Sequence, residues 1–172
     1  MASAHTHHPP LHLYEAARSR PGARNRRTIA TEAARYLGAV SILLVGAVHA
    51  QQYYDAYFSV VPTIGTLFLL SFISAAIVGV VLLAPVRRLG REVGDAMLTV
   101  AALGAISIAL GTFVSLLISE YTPLFGFMES GYRLAVVLTL LFDVMTTVFL
   151  GVFVALVAPP LVRSLATSRR LR

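Results

Sequence analysis

A single carboxylate stands near the middle of the last long hydrophobic run of this chain. Asp143 lies in the segment Y-R-L-A-V-V-L-T-L-L-F-D-V-M-T-T-V-F-L-G-V-F-V-A-L-V-A, which extends from Tyr132 to Ala158. A run of about 20 apolar residues is long enough to cross a bilayer. An ionisable side chain at such a depth is costly and commonly marks a functional site. Asp143 is therefore the first candidate for chemistry.

Three interpretations of Asp143 stay open. Its carboxyl can be a hydrogen-bonded lock that sets helix register, a proton or cation site, or a docking point for a polar group of another subunit. No cationic side chain is expected at its depth, so burial favours the neutral acid. Counting about 1.5 Å per residue from the helix ends puts other small polar residues at a similar depth. We therefore predict an intramembrane polar layer, composed of Asp143, Ser41, Ser74, Ser107, Thr139 and Thr147.

A second group of candidates is expected at the outer ends of the hydrophobic runs. Its members are polar or aromatic: His49, Tyr53, Asp55, Tyr57, Glu120 and Glu129. Aromatic rings at this depth are typical of the membrane–water interface. The His and the acids could instead form an outward-facing pocket, and these residue types bind zinc, but their spacing matches no metal motif. The membrane region has one His, which argues against haem held by two His, so no cofactor is predicted.

Four further histidines stand close together near the N-terminus, at His5, His7, His8 and His12. Imidazoles at this density can bind Cu, Ni or Zn. An unstructured tail with incidental histidines explains them equally well. The sequence therefore indicates at most a weak metal site in this segment.

Composition and the lengths of the hydrophobic runs indicate that membrane-spanning helices position these candidate residues. The chain is 57% hydrophobic and 13% charged, whereas soluble domains average about 45–50% apolar and about 25% charged residues. It has no Cys, which excludes disulfides and thiol chemistry. Four runs of spanning length are predicted to be helices, at about 34–51, 62–84, 95–119 and 133–158. We expect Pro62 to begin the second helix, and Pro85 and Pro159-Pro160 to end the second and the fourth.

These runs predict an all-α fold, an antiparallel bundle of four transmembrane helices. The boundaries are 1–27 for a disordered tail rich in His and Arg, 28–160 for the membrane domain and 161–172 for a basic tail. All 14 basic residues are Arg, and all but Arg133 flank the helix ends on the side of the two termini. By the positive-inside rule we predict a multi-pass protein of the bacterial cytoplasmic (inner) membrane with both termini in the cytoplasm. The arginines then anchor the chain to the bilayer, and no nucleic acid is expected as a partner.

Small residues at four-residue spacing predict faces for helix–helix contact, as in Ser107, Gly111 and Ser115 and again in Thr147, Gly151 and Ala155. The chain has no nucleotide-binding, zinc-protease or serine-hydrolase motif, so no enzyme is expected. We interpret it as a non-enzymatic subunit or scaffold of a membrane complex, either a homo-oligomer or a larger assembly. The alternative is a small transporter or channel-like component that handles protons or cations through Asp143.

Two stretches also carry a resemblance. The first stretch, from His49 to Leu70, is H-A-Q-Q-Y-Y-D-A-Y-F-S-V-V-P-T-I-G-T-L-F-L-L, and the second, from Leu124 to Glu129, is L-F-G-F-M-E. They resemble segments of a group of small bacterial, mainly actinobacterial, membrane proteins. Those proteins show a His, spaced tyrosines and then (I/V)-P-T-I-G-x-L-F-L-L. The resemblance covers residues 35–158. It implies a four-helix topology but no activity, and it draws attention to His49, Pro62, Gly65 and Glu129 as a site or a structural signature.

Overall fold

Four long α-helices make up most of the described chain. The computed structural model describes residues 21–56, 58–123 and 133–170. The helices are α1 (Pro21–Tyr54), α2 (Pro62–Leu83), α3 (Arg91–Tyr121) and α4 (Leu134–Arg170), with short 3-10 turns at Phe58–Val60 and Val86–Leu89. No strand occurs in these ranges.

Each helix contains a segment long and apolar enough to cross a membrane. The segments are Asn25–Tyr54, Thr63–Leu83, Arg91–Tyr121 and Leu134–Ala158. The chain is therefore a multi-pass, all-α membrane protein, and the predicted four-helix bundle is confirmed. In a bilayer this architecture pairs most backbone polar groups within their own helices, which lipid cannot do.

The first helix begins earlier than its hydrophobic run. We predicted a start near residue 34 and a disordered segment over 1–27, but α1 begins at Pro21, so residues 21–27 are helical. Pro at the first helical position has a φ angle already suited to a helix. The segment that follows is rich in Ala and Arg, which favour helices, and contains no further proline. Residues 1–20, including His5, His7, His8 and His12, lie outside the described ranges.

The last helix continues through Pro159-Pro160, where we predicted its end, and reaches Arg170. Proline has no backbone N–H, so Pro160 cannot donate to the carbonyl of Leu156 one turn earlier. The guanidinium of Arg27 supplies that missing donor, because its Nη2 lies 3.0 Å from the Leu156 carbonyl oxygen. A contact with α1 thus replaces a hydrogen bond that α4 cannot make. Most of the predicted basic tail, residues 161–170, is helical, and residues 171–172 lie outside the described ranges.

The helices run antiparallel, with α1 packed against α2 and α4, and α3 packed against α4 and α2. We call the end with Pro21, Arg170 and the 84–90 connection the termini end, and the opposite end the loop end. Two glycines allow α1 to approach its neighbours closely. A Cβ at Gly38 would meet Cδ2 of Leu150, and one at Gly79 would lie 2.5 Å from Cδ2 of Leu43. A larger residue at either site would therefore require the facing leucine to move.

The half of the bundle toward the termini end is a dense apolar core. Leu82, Leu98, Leu150 and Phe153 are fully buried there. Alanines of α1 and α3 fill the space between them. This cluster joins apolar side chains from all four helices. Polar groups are concentrated instead in the other half and at the termini end itself.

Candidate functional site

A cavity of about 380 Å³ lies in the half of the bundle toward the loop end, with walls from all four helices. Its size falls within the range of small-molecule sites. Apolar side chains of α2 and α4 line part of it. The polar residues of its walls are His49, Gln52, Ser71, Ser74, Ser107, Thr112, Ser115, Ser119, Arg133 and Thr139. A hydroxyl-lined space thus opens beside an otherwise apolar core.

The buried polar residues of this wall are His49 and Gln52 of α1, Ser119 of α3 and Thr139 of α4. His49 is only 6% exposed. Its ring packs against Phe68 of α2, with 5.3 Å between ring centroids. Its Nδ1 lies 2.8 Å from the carbonyl oxygen of Val45 in its own helix. Three helices therefore bring buried polar groups to one end of the cavity.

Asp143 lies behind the cavity wall rather than in it. Its side chain is 1% exposed, and the Thr112 hydroxyl donates to its Oδ2 over 2.8 Å. Thr112 itself lines the cavity, so one side chain separates the carboxyl from that space. The other carboxyl oxygen, Oδ1, is buried without a hydrogen-bond partner. The carboxyl is thus a half-satisfied polar group next to a cavity.

The Thr112 hydroxyl has more acceptors than it can serve. Besides Asp143, it lies 3.0 Å from the carbonyl oxygens of Ile108 and Ala109. A hydroxyl carries a single hydrogen and can also accept. When the acid carries a proton, it can donate to Thr112, which then donates to a carbonyl of its own helix. The protonated arrangement therefore satisfies more groups than the ionised one, which agrees with the expectation of a neutral acid.

The other members of the predicted polar layer occupy different places. Ser74, Ser107 and Thr139 line the cavity. Ser41 donates to the Leu37 carbonyl, and Thr147 donates to the backbone carbonyl of Asp143 rather than to its carboxyl. The hydrogen-bond partner of the carboxyl is Thr112, which the sequence reasoning did not include. The sequence shows a hydroxyl at this position of the third run. Whether that hydroxyl faces α4 depends on the register of two antiparallel helices, which the sequence does not give.

The outer-face candidates do not form one pocket in the structure. His49 lines the cavity, whereas Asp55 is exposed and neither Tyr53 nor Glu120 is part of the wall. Tyr57 and Glu129 lie outside the described ranges. Among the described residues, no group of three or more His, Asp or Glu could hold a metal ion. Among the described members of this group, His49 alone lines the cavity.

A second polar cluster ties three elements together at the termini end. Arg87 of the 84–90 connection bonds both Glu32 of α1 and Asp95 of α3, its Nε lying 2.6 Å from Oδ1 of Asp95. Arg35 also contacts Glu32, with 2.8 Å between Nη2 and Oε2. Burial lowers the pKa of Arg87, but the hydrogen bonds and charges of Asp95 and Glu32 outweigh it, so this pKa lies above its usual value. Arg87 is therefore a permanent cationic link, whereas the sequence reasoning treated it only as a topology anchor.

The fold and the cavity define the class: a multi-pass, all-α membrane protein with a polar cavity inside a four-helix bundle. Comparison with known proteins adds no narrower group, since the chain matches no family model, no curated protein and no solved structure. A function for this chain is therefore inferred from the contacts of its own residues.

Proposed function

We propose that this chain is a non-enzymatic subunit or scaffold of a membrane complex. The observation that carries the proposal is the face of α4 formed by Thr147, Gly151 and Ala155. Apart from its chain neighbours and the backbone of α4, no described atom lies within 4 Å of the position that a Cβ at Gly151 would occupy, and Ala155 is exposed. Small residues at this spacing let the backbones of two membrane helices approach closely. This surface therefore suits contact with a helix from another chain.

The residues beside this face support the same proposal. Val144, Val148 and Val152 are exposed along α4, and β-branched side chains are rigid in helices. They form a ridge next to the shallow strip at Gly151, a shape into which a partner helix can pack. The buried apolar residues toward the termini end, among them Leu82, Leu98 and Phe153, favour a subunit over a carrier, which needs a polar route.

Replacing Gly151 by leucine is expected to abolish assembly while leaving the fold intact. The new side chain extends from the outer face of α4, where the rest of the chain leaves space for it. It keeps a partner helix from approaching the backbone of α4. Native mass spectrometry of the protein extracted in mild detergent measures the assembly. Helix content and the thermal midpoint, measured by circular dichroism, report the fold.

Val80→Leu is the matched control, because it enlarges an exposed position on α2 away from this face. It should assemble as the wild-type chain does. A wild-type chain that is monomeric and without a bound subunit in native membrane extracts would contradict the proposal. So would a Gly151→Leu variant that assembles normally.

The distribution of arginines supports a location in the bacterial cytoplasmic membrane with both termini in the cytoplasm. Arg35, Arg87, Arg88 and Arg91 belong to the termini end, whereas Arg133 precedes α4 at the loop end. This asymmetry follows the positive-inside rule. Because the chain has no Cys, a single cysteine added near either terminus can be tested in intact cells with an impermeant maleimide. Labelling from outside would contradict this orientation.

A second candidate, proton or cation handling through Asp143, rests on the unpartnered Oδ1 and on the cavity beyond Thr112. Under this candidate, the purified chain in liposomes produces a proton or cation flux that Asp143→Asn abolishes. The amide preserves the shape and can still bond Thr112, so folding is retained. Absence of flux from the wild-type chain would exclude the candidate, and flux that Asp143→Asn leaves unchanged would exclude Asp143 as its carrier.

A further inference from the structure

Two hydroxyls in the buried polar wall of the cavity already donate their hydrogens within their own helices. Ser119 donates to the Leu116 carbonyl over 2.8 Å, and Thr139 donates to the Ala135 carbonyl over 2.9 Å. Both hydroxyls belong to cavity-lining residues that are almost fully buried. A hydroxyl that donates within its own helix still offers lone pairs. These two residues therefore face the cavity as hydrogen-bond acceptors.

His49 completes this set of acceptors. A carbonyl oxygen only accepts, so the 2.8 Å contact with Val45 requires the hydrogen of the ring to be on Nδ1. In the neutral ring, Nε2 is then an acceptor, and no side chain in the described ranges is shown donating to it. His49 is 6% exposed, and it lines the cavity. An acceptor in such a place suits a ligand that brings a donor.

The other residues of the cavity wall indicate the remaining properties of the ligand. Arg133 also lies in the wall, at the loop end. On the side of α2 and α3 the wall includes Leu70, Gly111 and Ser115, all exposed on the outside of the bundle. The cavity thus opens sideways, between two helices that span the membrane. A molecule entering by this route comes from the lipid phase and is itself soluble in lipid.

We propose that the cavity binds a neutral, lipid-soluble phenol or alcohol. Its hydroxyl donates to Nε2 of His49, with Ser119 and Thr139 as further acceptors, and its apolar tail leaves between α2 and α3. The cavity of about 380 Å³ accommodates a ring-sized head group while the tail stays in lipid. This binding does not require the assembly proposed for the Gly151 face, since that face lies outside the cavity.

Two probes of nearly the same shape, one with and one without a hydroxyl group, test whether the ligand binds as a hydrogen-bond donor. The full chain in lipid nanodiscs is titrated with para-nonylphenol and with its methyl ether, which lacks the O–H. We expect the phenol to bind roughly tenfold more tightly, the usual effect of one buried hydrogen bond. Equal affinities for the phenol and its ether would overturn the proposal. Tighter binding of a nonylammonium ion than of the phenol would also overturn it, in favour of a cation site.

Variants then assign the site to its residues. His49→Phe keeps a ring beside Phe68 but removes the acceptor, so the preference for the phenol over the ether should fall to near unity. Thr139→Val removes a second acceptor without touching His49, and it should reduce the preference in part. If His49→Phe fails to fold, Thr139→Val carries the test alone. An unchanged preference in a folded variant would overturn the assignment.

Two variants separate occupation of the cavity from general effects. Gly111 lines the cavity, and apart from its chain neighbours and the backbone of its own helix no described atom lies within 4 Å of its Cβ position. Gly111→Leu is therefore expected to occupy part of the cavity and to abolish binding of both probes. Val80→Leu enlarges an exposed side chain that does not line the cavity, and it should leave both affinities unchanged. Loss of binding in Val80→Leu, or retention in Gly111→Leu, would place the ligand elsewhere.

Discussion

Replacing Gly94 by alanine is expected to destabilise the folded bundle by about 2–3 kcal/mol. A Cβ there would lie 2.6 Å from Cα of Arg87, 2.9 Å from its backbone nitrogen and 3.0 Å from the carbonyl oxygen of Val86. All three are backbone atoms, so no side-chain rotation relieves the clash. The turn Val86–Leu89 must move away from α3. That movement pulls Arg87 from Asp95 and Glu32, which adds to the loss.

Unfolding by SDS in mixed micelles, followed by circular dichroism, measures this effect. Gly104→Ala is the matched control, because it makes the same change in the same helix. Its Cβ would lie 3.6 Å from Cγ1 of Val78, an ordinary contact. This variant should match the wild-type free energy of unfolding or slightly exceed it, since alanine favours helices over glycine. Wild-type stability of Gly94→Ala would mean that the turn does not pack on α3 as described.

Replacing Thr112 by valine is expected to lower stability by about 2 kcal/mol, which is the cost of leaving a buried polar group without a partner. Valine has nearly the shape of threonine, so packing changes little. Asp143 would then have neither carboxyl oxygen hydrogen-bonded, because Oδ1 is already unpartnered. The reverse change, Asp143→Leu, should cost less. Thr112 still has the carbonyl of Ile108 as an acceptor.

A double-mutant cycle makes this asymmetry testable. Combining Thr112→Val with Asp143→Leu replaces both partners by apolar groups, which should recover most of the stability lost in Thr112→Val alone. Unfolding free energies of the four proteins, measured in the same micelles, give the coupling between the two residues. Additive effects, or a larger loss for Asp143→Leu than for Thr112→Val, would show that the pair is not a hydrogen-bonded lock.

The helices themselves were largely predictable from the sequence. The second one follows its predicted limits closely, beginning at Pro62 and ending at Leu83 before Ala84 and Pro85. Lipid cannot form hydrogen bonds with backbone N–H and C=O groups. An apolar run of spanning length therefore forms a helix, which pairs these groups internally. Proline at its start and just beyond its end adds local signals that need no tertiary contact.

Helix ends outside the apolar runs were less predictable. Hydropathy does not report the early start of α1, since its first residues are polar. The passage of α4 through Pro159-Pro160 rests in part on Arg27, which is 129 residues away from Leu156 in the chain. A local rule about proline cannot include a donor that arrives from another helix. The same holds for Arg87, whose partners come from two different helices.

The sequence by itself determined that the chain crosses the membrane four times, and it singled out Asp143 as the acid within the last run and His49 as the histidine within the first. Composition and length suffice for these conclusions, because burial in lipid penalises charge and open backbone whatever the neighbours are. Only the tertiary structure decided that Thr112 meets Asp143 and that His49, Ser119 and Thr139 share one cavity wall. Those pairings depend on helix register and rotation. Close contacts such as that of Gly38 with Leu150 set both, and they join residues far apart in the chain.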